Sequence, residues 1–178
     1  MIKPIAKLII ALNGNVKRSQ IAAGFAWGLL LGLVPVNSLI WFVLFIVSFF
    51  FKHNHASKLL VLAIVKLLGS LLGPALDWLG WEILHIEALA PMFTVWYNLP
   101  LVPFTRFYNT LVAGGLCAGV LLWVPVYFLV RALVPVYRNH LVPKIKSTKF
   151  FKALAKFPLI SKIGNAVSSM ADLRNTAK

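Results

Sequence analysis

The stretch AGFAWGLLLGLVPVNSLIWFVLFIVSFFFK, which runs from Ala23 to Lys52, is almost entirely apolar. A helix needs about 20 residues to cross the hydrocarbon core of a bilayer, so this stretch is too long for one straight crossing. Pro35 removes a backbone donor and clashes with the preceding helical turn, and Asn37 adds a polar side chain two residues later. We therefore predict a helix break at Pro35 and Asn37, inside a segment that lies in a membrane.

The composition of the whole chain supports a membrane location. Of its 178 residues, 60% are hydrophobic and only 12% are charged, whereas a soluble domain is typically about 45–50% apolar and about 25% charged. Within lipid the chain must satisfy its own backbone polar groups, which favours helices. We predict an all-α membrane protein with two full crossings, together with re-entrant or broken helical segments and amphipathic interfacial helices at both ends.

The formal net charge of +14 is distributed unevenly along the chain. Lysine and arginine concentrate before Ser19 and after Val130, while the acids Asp77, Glu82 and Glu87 lie in the middle. Bacterial membrane proteins retain lysine and arginine on the cytoplasmic side, and basic flanks bind anionic lipid headgroups. We predict a membrane protein with both termini in the cytoplasm and with no nucleic-acid partner.

Three parts of the chain differ in composition. Residues 1–20 place apolar side chains at helical spacing apart from the lysines, which predicts an amphipathic interfacial helix. Residues 137–178 predict a basic amphipathic cytoplasmic tail. The membrane domain, 21–136, is predicted to contain a re-entrant hairpin over 21–51, a crossing over 59–76 that ends at Gly73-Pro74, a periplasmic-side segment over 77–89, a broken segment over 90–110 and a crossing over 111–131.

The first apolar stretch has two arms, 21–34 and 37–51, and each is short for a membrane. Each arm reaches about 21 Å at 1.5 Å per residue, whereas the hydrocarbon core is about 30 Å thick. A re-entrant hairpin returns Lys52 to the side of Arg18, in agreement with the positive-inside rule. One long, kinked crossing remains the alternative, and it places Lys52 on the outer side.

Three glycines, Gly24, Gly28 and Gly32, lie four residues apart and share one helix face. Another backbone can approach such a face closely, which is how helices pack where lipid supplies no hydrophobic driving force. We predict that these glycines pack against a second helix. The alternative is a smooth surface along which a lipid tail or another substrate passes.

A second stretch resembles the first one within this chain. AGFAWGLLLGLVPV begins at Ala23 and AGGLCAGVLLWVPV begins at Ala113, and the two align without a gap. If the repeat is structural, the second copy predicts another helix break at Pro125 and a site between two broken halves. Chance similarity between two apolar segments is the alternative.

The segment 90–110 is apolar but contains Pro100 and several polar side chains. We predict a helix break at Pro100 and a lipid-binding site formed by Arg106 with Asn98 and Asn109. A guanidinium binds a lipid phosphate through two parallel hydrogen bonds, and charges at membrane depth are functional hypotheses by default. The alternatives are an arginine that extends to the outer headgroups, or one that pairs with an acid of the 77–89 segment.

Enzymatic and metal-binding patterns are missing from the sequence. No phosphate loop, dinucleotide fingerprint or zinc spacing of cysteines occurs. His53 and His55 lie in a loop of lysines, and Glu82 with His85 gives one E-x-x-H, whereas di-metal bundles use two copies. The single cysteine, Cys117, cannot form an internal disulfide. We predict that the protein is not an enzyme and binds neither a metal nor a cofactor.

Three motifs carry a resemblance to a known family. They are G-x3-G-x3-G-x2-P from Gly24 to Pro35, YNLP at Tyr97–Pro100 and TRFYNT at Thr105–Thr110, of which the last is the most specific. Together they resemble a small family of uncharacterised bacterial membrane proteins, one of the domain-of-unknown-function families, over roughly residues 1–140. The resemblance implies an inner-membrane protein of bacteria that also have an outer membrane, commonly encoded beside a much larger envelope protein. It implies no catalytic residues.

The leading functional hypothesis is an inner-membrane subunit of an envelope complex. It would anchor a larger periplasmic protein and hand membrane phospholipid to it, because the chain has broken segments that admit lipid and almost no hydrophilic domain of its own. The alternative is a small solute or ion transporter or channel built from two broken-helix repeats. The sequence does not identify the substrate, or the identity and stoichiometry of the partner.

Overall fold

The computed structural model describes residues 17–141, and every regular element among them is helical. The α-helices are α1 (Arg18–Leu33), α2 (Leu39–Ser48), α3 (His55–Leu67), α4 (Gly69–Leu84), α5 (Ala90–Tyr97) and α6 (Thr110–Val136). Short 3-10 helices cover Glu87–Leu89 and Val102–Thr105, and a π-helical turn covers Tyr137–Leu141. Residues from Pro135 onward form a separate unit. The predicted interfacial helix at 1–20 lies outside the described residues up to position 16, and the predicted tail lies outside them from position 142.

The first apolar stretch folds back on itself at the predicted break. α1 ends at Leu33 and α2 begins at Leu39, with Pro35 and Asn37 in the turn between them. At the other end of the two arms, the Asn54 amide donates to the Gln20 carbonyl at 2.9 Å. The chain therefore returns beside its own starting point after the two helices.

α3 packs along the glycine face of α1. An ideal Cβ on Gly28 would lie 2.5 Å from the Lys58 carbonyl oxygen, and one on Gly32 would lie 2.6 Å from the Val65 Cβ. Gly24 faces the Asn54 and Ser57 end of α3 in the same way. The two backbones touch along this face, and they run in the same direction because later glycines meet later residues of α3.

A sharp bend separates α3 from α4. The sequence predicts one crossing over 59–76 that ends at Gly73-Pro74, but the helix axis turns by 81° at Leu68 and Pro74 lies inside α4. A proline near the start of a helix forfeits only one backbone hydrogen bond, so α4 accommodates it. α3 alone has 13 residues, or about 20 Å, and this is shorter than the membrane core of about 30 Å.

α6 packs against both α1 and α4. Gly115 lies against the Leu33 carbonyl and Gly119 against Leu30, and the Trp123 ring meets the Trp27 ring at 6.3 Å. Since later residues of α6 meet earlier residues of α1, these two helices are antiparallel.

The crossing of α4 and α6 is also glycine-based. Gly80 lies against the Thr110 carbonyl, and Gly114 lies against the Leu76 carbonyl. A central cluster of Trp27, Leu30 and Val34 on and just after α1 completes the packing.

The predicted break at Pro125 is wrong, because α6 continues through it as one helix from Thr110 to Val136. Helices in lipid tolerate proline where the rest of the backbone ladder is kept. Of the helices within 17–141, the one at Thr110–Asn139 is long and apolar enough to cross a membrane, and α3 with α4 gives a second span only if the bent pair counts as one. Two full crossings are therefore not confirmed, whereas the all-helical fold is.

Candidate functional site

The chain between α4 and α6 is irregular and carries two strained residues. Leu101 and Arg106 adopt left-handed backbone conformations, with φ of 71° and 55°, on either side of the 3-10 helix that contains Pro103. Left-handed backbone is uncommon for residues other than glycine and costs free energy that the surrounding structure must supply. Pro100 lies in the turn that follows α5, as the sequence predicts.

An open depression of about 310 Å³ lies beside this segment, and we call it the polar cavity because polar side chains form part of its lining. Its lining residues are Leu84, Phe93, Thr94, Tyr97, Asn98, Phe107 and Tyr108. The Asn98 side-chain nitrogen donates to the Thr94 carbonyl at 2.8 Å, which leaves the amide oxygen as an acceptor. The Tyr97 and Tyr108 rings pack edge to face at 5.5 Å, so two phenol side chains adjoin the amide.

An apolar cavity of about 320 Å³ adjoins the polar one. It is lined by Ile40, Ile83, Leu84, Phe93, Trp96, Phe107, Val112, Ala113, Leu116, Cys117 and Val120. Leu84, Phe93 and Phe107 line both cavities and form their common wall. Ligand sites in proteins typically measure about 300–1,000 Å³ and combine apolar walls with a few polar groups. The cavity pair has this composition, with the polar groups at one end.

The three residues predicted to bind lipid have different positions. Asn98 lines the polar cavity. Arg106 is exposed and directly precedes Phe107 of the common wall, but it lines neither cavity. The Asn109 side chain accepts from the Val112 amide at 3.2 Å, which is the bond that an N-cap residue makes at the start of a helix.

The acids near this segment make no ion pair with Arg106 among the residues that the structure describes. The Asp77 carboxylate instead accepts a hydrogen bond from the Thr110 hydroxyl. This contact joins α4 to the start of α6 at the crossing of Gly80 and Gly114.

Two side chains satisfy the carbonyl groups that the break of α1 leaves free. Pro35 has no amide for the Leu31 carbonyl, and the Trp41 indole donates to that carbonyl at 2.8 Å. The Lys66 ammonium donates to the Val34 carbonyl at 2.6 Å. A cation at the C-terminal end of a helix also interacts favourably with the helix dipole. Sequence reasoning missed both partners, although a lysine within an apolar run demands an acceptor.

We expect Trp41→Phe to lower the stability of the protein, because it removes the donor that replaces the missing Pro35 amide. An unsatisfied buried carbonyl costs about 1–3 kcal/mol. Thermal unfolding in detergent measures the loss, with Trp78→Phe as the control, because the Trp78 side chain is exposed and lines neither cavity. Equal stability of the two variants would contradict the role given to Trp41.

A second lysine is buried without an acid. Lys58 is 1% exposed, and its ammonium donates to the Ser48 hydroxyl at 2.9 Å. The ammonium also lies 5.0 Å from the Phe45 ring centroid and 4.2 Å from that of Phe49. Aromatic faces attract cations, and more strongly when the site is dry. No sequence signal identified this contact, because it joins α2 to α3 across the loop between them.

The loop between α2 and α3 contains a buried histidine. The pKa of His53 is lowered by burial and, to a smaller extent, by the positive charge of Lys58, while a hydrogen bond to the Phe51 carbonyl opposes the shift. Within the described chain no three His, Cys, Asp or Glu side chains meet as metal ligands would. The centroids of the His53 and His55 rings lie 4.5 Å apart, and the rings meet edge to face.

One comparison identifies a relative. An uncharacterized protein of Treponema pallidum (strain Nichols) is 37% identical over 159 residues, which cover 89% of this chain and 98% of that protein. The chain belongs to the same bacterial family. The family resemblance predicted from the sequence, to uncharacterised bacterial proteins, is thereby confirmed. No family model matches the chain, and no solved structure matches it.

Proposed function

We propose that the protein is an inner-membrane subunit of a bacterial envelope complex that binds phospholipid in the two adjoining cavities and hands it to a larger periplasmic protein. The observation that carries the proposal is the common wall of Leu84, Phe93 and Phe107, with a polar cavity on one side and an apolar cavity on the other. A phospholipid requires a polar site for its headgroup and an apolar site for its acyl chains, and the two sites must lie next to each other. Its headgroup lies among the Tyr97, Asn98 and Tyr108 side chains.

The surface of the described helices supports a location in lipid. Many large apolar side chains point outward, and Phe50 and Leu67 are more than four-fifths exposed. In water such a surface would drive association, whereas in a bilayer it faces acyl chains.

The hairpin and α6 support one orientation. Lys17, Arg18 and Lys52 lie at the open end of the hairpin, where Asn54 bonds back to Gln20. Because lysine and arginine stay on the cytoplasmic side, α1 and α2 enter and leave the membrane there as a re-entrant hairpin. α6 then crosses the membrane, and the chain between α4 and α6, with its cavities, faces the periplasm.

This orientation suits a subunit that passes lipid outward. The cavities open at the periplasmic end, where a larger protein has access to them. Arg106 and the exposed turn around Leu101 extend the same face, and we assign Arg106 to the phosphate of the bound lipid. The resemblance to a family commonly encoded beside a large envelope protein supports the presence of such a partner.

The alternative, a small solute or ion transporter or channel, depends on two broken helices. Only the first of the two similar stretches breaks at its proline, since α6 is continuous through Pro125. The Val34 carbonyl at the C-terminal end of α1 accepts a hydrogen bond from the Lys66 ammonium. No observation favours this alternative over the lipid-binding function.

We expect Ala113→Phe to reduce the phospholipid that copurifies with the protein, because Ala113 lines the apolar cavity and a benzyl group fills it. The matched control is Ala132→Phe, which adds the same group at an exposed position of the same helix. Native mass spectrometry after gentle extraction measures bound lipid, and thermal unfolding checks the fold. Equal lipid occupancy in both folded variants would contradict the proposed site.

A further inference from the structure

The residues that line the two cavities share one property, namely the absence of charge. No lysine, arginine, histidine, aspartate or glutamate lines either of them. The polar groups at the headgroup end are the hydroxyls of Thr94, Tyr97 and Tyr108 and the amide of Asn98. Protein sites that select lipids with a net negative charge typically cluster several basic side chains at the headgroup.

The charge of the sequence segment that supplies most of the cavity-lining residues points the same way. Between Lys66 and Arg131 the sequence holds three acids, Asp77, Glu82 and Glu87, against one base, Arg106. A surface with an excess of negative charge raises the free energy of an anionic ligand and lowers that of a cationic group. One positive group nevertheless adjoins the common wall, since Arg106 directly precedes Phe107.

From these observations we infer that the lipid selected by the two cavities is a phospholipid without net charge, whose headgroup carries an ammonium beside its phosphate. This inference rests on the proposed function and adds the headgroup class to it. The phosphate lies toward Arg106 and the hydroxyl groups, and the ammonium meets the acidic surroundings. One acyl chain lies along the apolar cavity beside Cys117.

Lipid occupancy must be measured at the cavities themselves, because the basic end of the protein binds lipid as well. Lys17, Arg18 and Lys52 attract anionic lipid there whatever the cavities select, so total bound lipid does not report on the headgroup end. Cys117 does report locally, because it lines the apolar cavity and is the only cysteine in the chain. A bound acyl chain shields its thiol from alkylation.

The experiment measures the alkylation rate of Cys117 by N-ethylmaleimide in the delipidated full-length protein. Phosphatidylethanolamine or phosphatidylglycerol is added at equal concentrations. At a lipid concentration about ten times the dissociation constant, the unoccupied fraction is about one tenth. We therefore expect phosphatidylethanolamine to slow the alkylation of Cys117 about tenfold, and phosphatidylglycerol at the same concentration to slow it much less. Asn98→Lys adds a positive charge at the exposed rim of the polar cavity, and it should reverse the preference.

The outcomes separate the inference from the function on which it rests. If neither lipid protects Cys117, the cavities do not hold lipid, and the proposed function fails together with the inference. If both lipids protect equally, or phosphatidylglycerol protects better, the cavities hold lipid but the headgroup assignment is wrong. A preference for phosphatidylethanolamine that Asn98→Lys leaves unchanged also overturns the assignment, because selection then arises elsewhere.

Discussion

Replacing Gly28 by alanine will destabilise the protein, whereas the same replacement at Gly69 will leave its stability nearly unchanged. A Cβ on Gly28 would lie 2.5 Å from the Lys58 carbonyl oxygen and 2.8 Å from the Val61 Cβ. Neither atom belongs to the flexible end of a side chain, so α1 and α3 must separate. Overpacking of this kind typically costs about 1–3 kcal/mol.

Gly69 provides a matched control for this prediction. It is the first residue of α4, and a Cβ there meets nothing within 4 Å. Gly73 is equally open but precedes Pro74, where a side chain disfavours helical backbone, so Gly69 is the better choice. Thermal unfolding in detergent and abundance in membranes measure both variants. If Gly28→Ala is tolerated as well as Gly69→Ala, the close contact of α1 with α3 is not real.

Ser48→Ala will lower stability strongly in the wild-type chain and only slightly when Lys58 is replaced by methionine. The Ser48 hydroxyl is the hydrogen-bond acceptor of the buried Lys58 ammonium, and no carboxylate in the described part of the chain compensates the charge. Loss of an acceptor for a buried charged group costs about 1–3 kcal/mol or more. Methionine is similar in length and removes the charge.

The Lys58→Met variant supplies the control through a double-mutant comparison. Replacing a buried charged group by an apolar one of similar volume is often neutral or stabilising, so Lys58→Met should keep or raise the unfolding temperature. Unfolding temperatures of the wild type, the two single variants and the double variant give the coupling. An effect of Ser48→Ala that is the same in both backgrounds would show that the ammonium does not depend on Ser48.

Local chemistry was sufficient to predict the first helix break. Pro35 lacks an amide, and the polar residues that follow it stop the helix from resuming at once. The same three letters, Val-Pro-Val, recur around Pro125 without a break. There the residues that follow are apolar and the helix continues, so the effect of a proline depends on the residues that follow it.

Features that depend on contacts between residues distant in the chain could not be predicted from the sequence. The bend lies at Leu68, directly before Gly69, whereas the sequence analysis placed the helix end at Gly73-Pro74 and therefore too far along the chain. The positions of Lys58 and Lys66 follow from the packing of three helices.

The two cavities could not be predicted from the sequence either. They combine residues of α2, α4, α5, α6 and the segment after α5, and no motif joins these residues. Asn98 was singled out from composition alone, while the aromatic common wall was not.

The measurement that tests the account most directly is the accessibility of the two ends of the protein in cells. Lys52→Cys and Glu82→Cys are each made in a Cys117→Ala background, and both positions are exposed. Cells with a permeabilised outer membrane are treated with a maleimide that does not cross the inner membrane. The account predicts labelling at position 82 in these cells, and at position 52 only after the inner membrane is opened. Labelling of position 52 with the inner membrane intact would contradict the re-entrant hairpin, and with it the periplasmic opening of the lipid cavities.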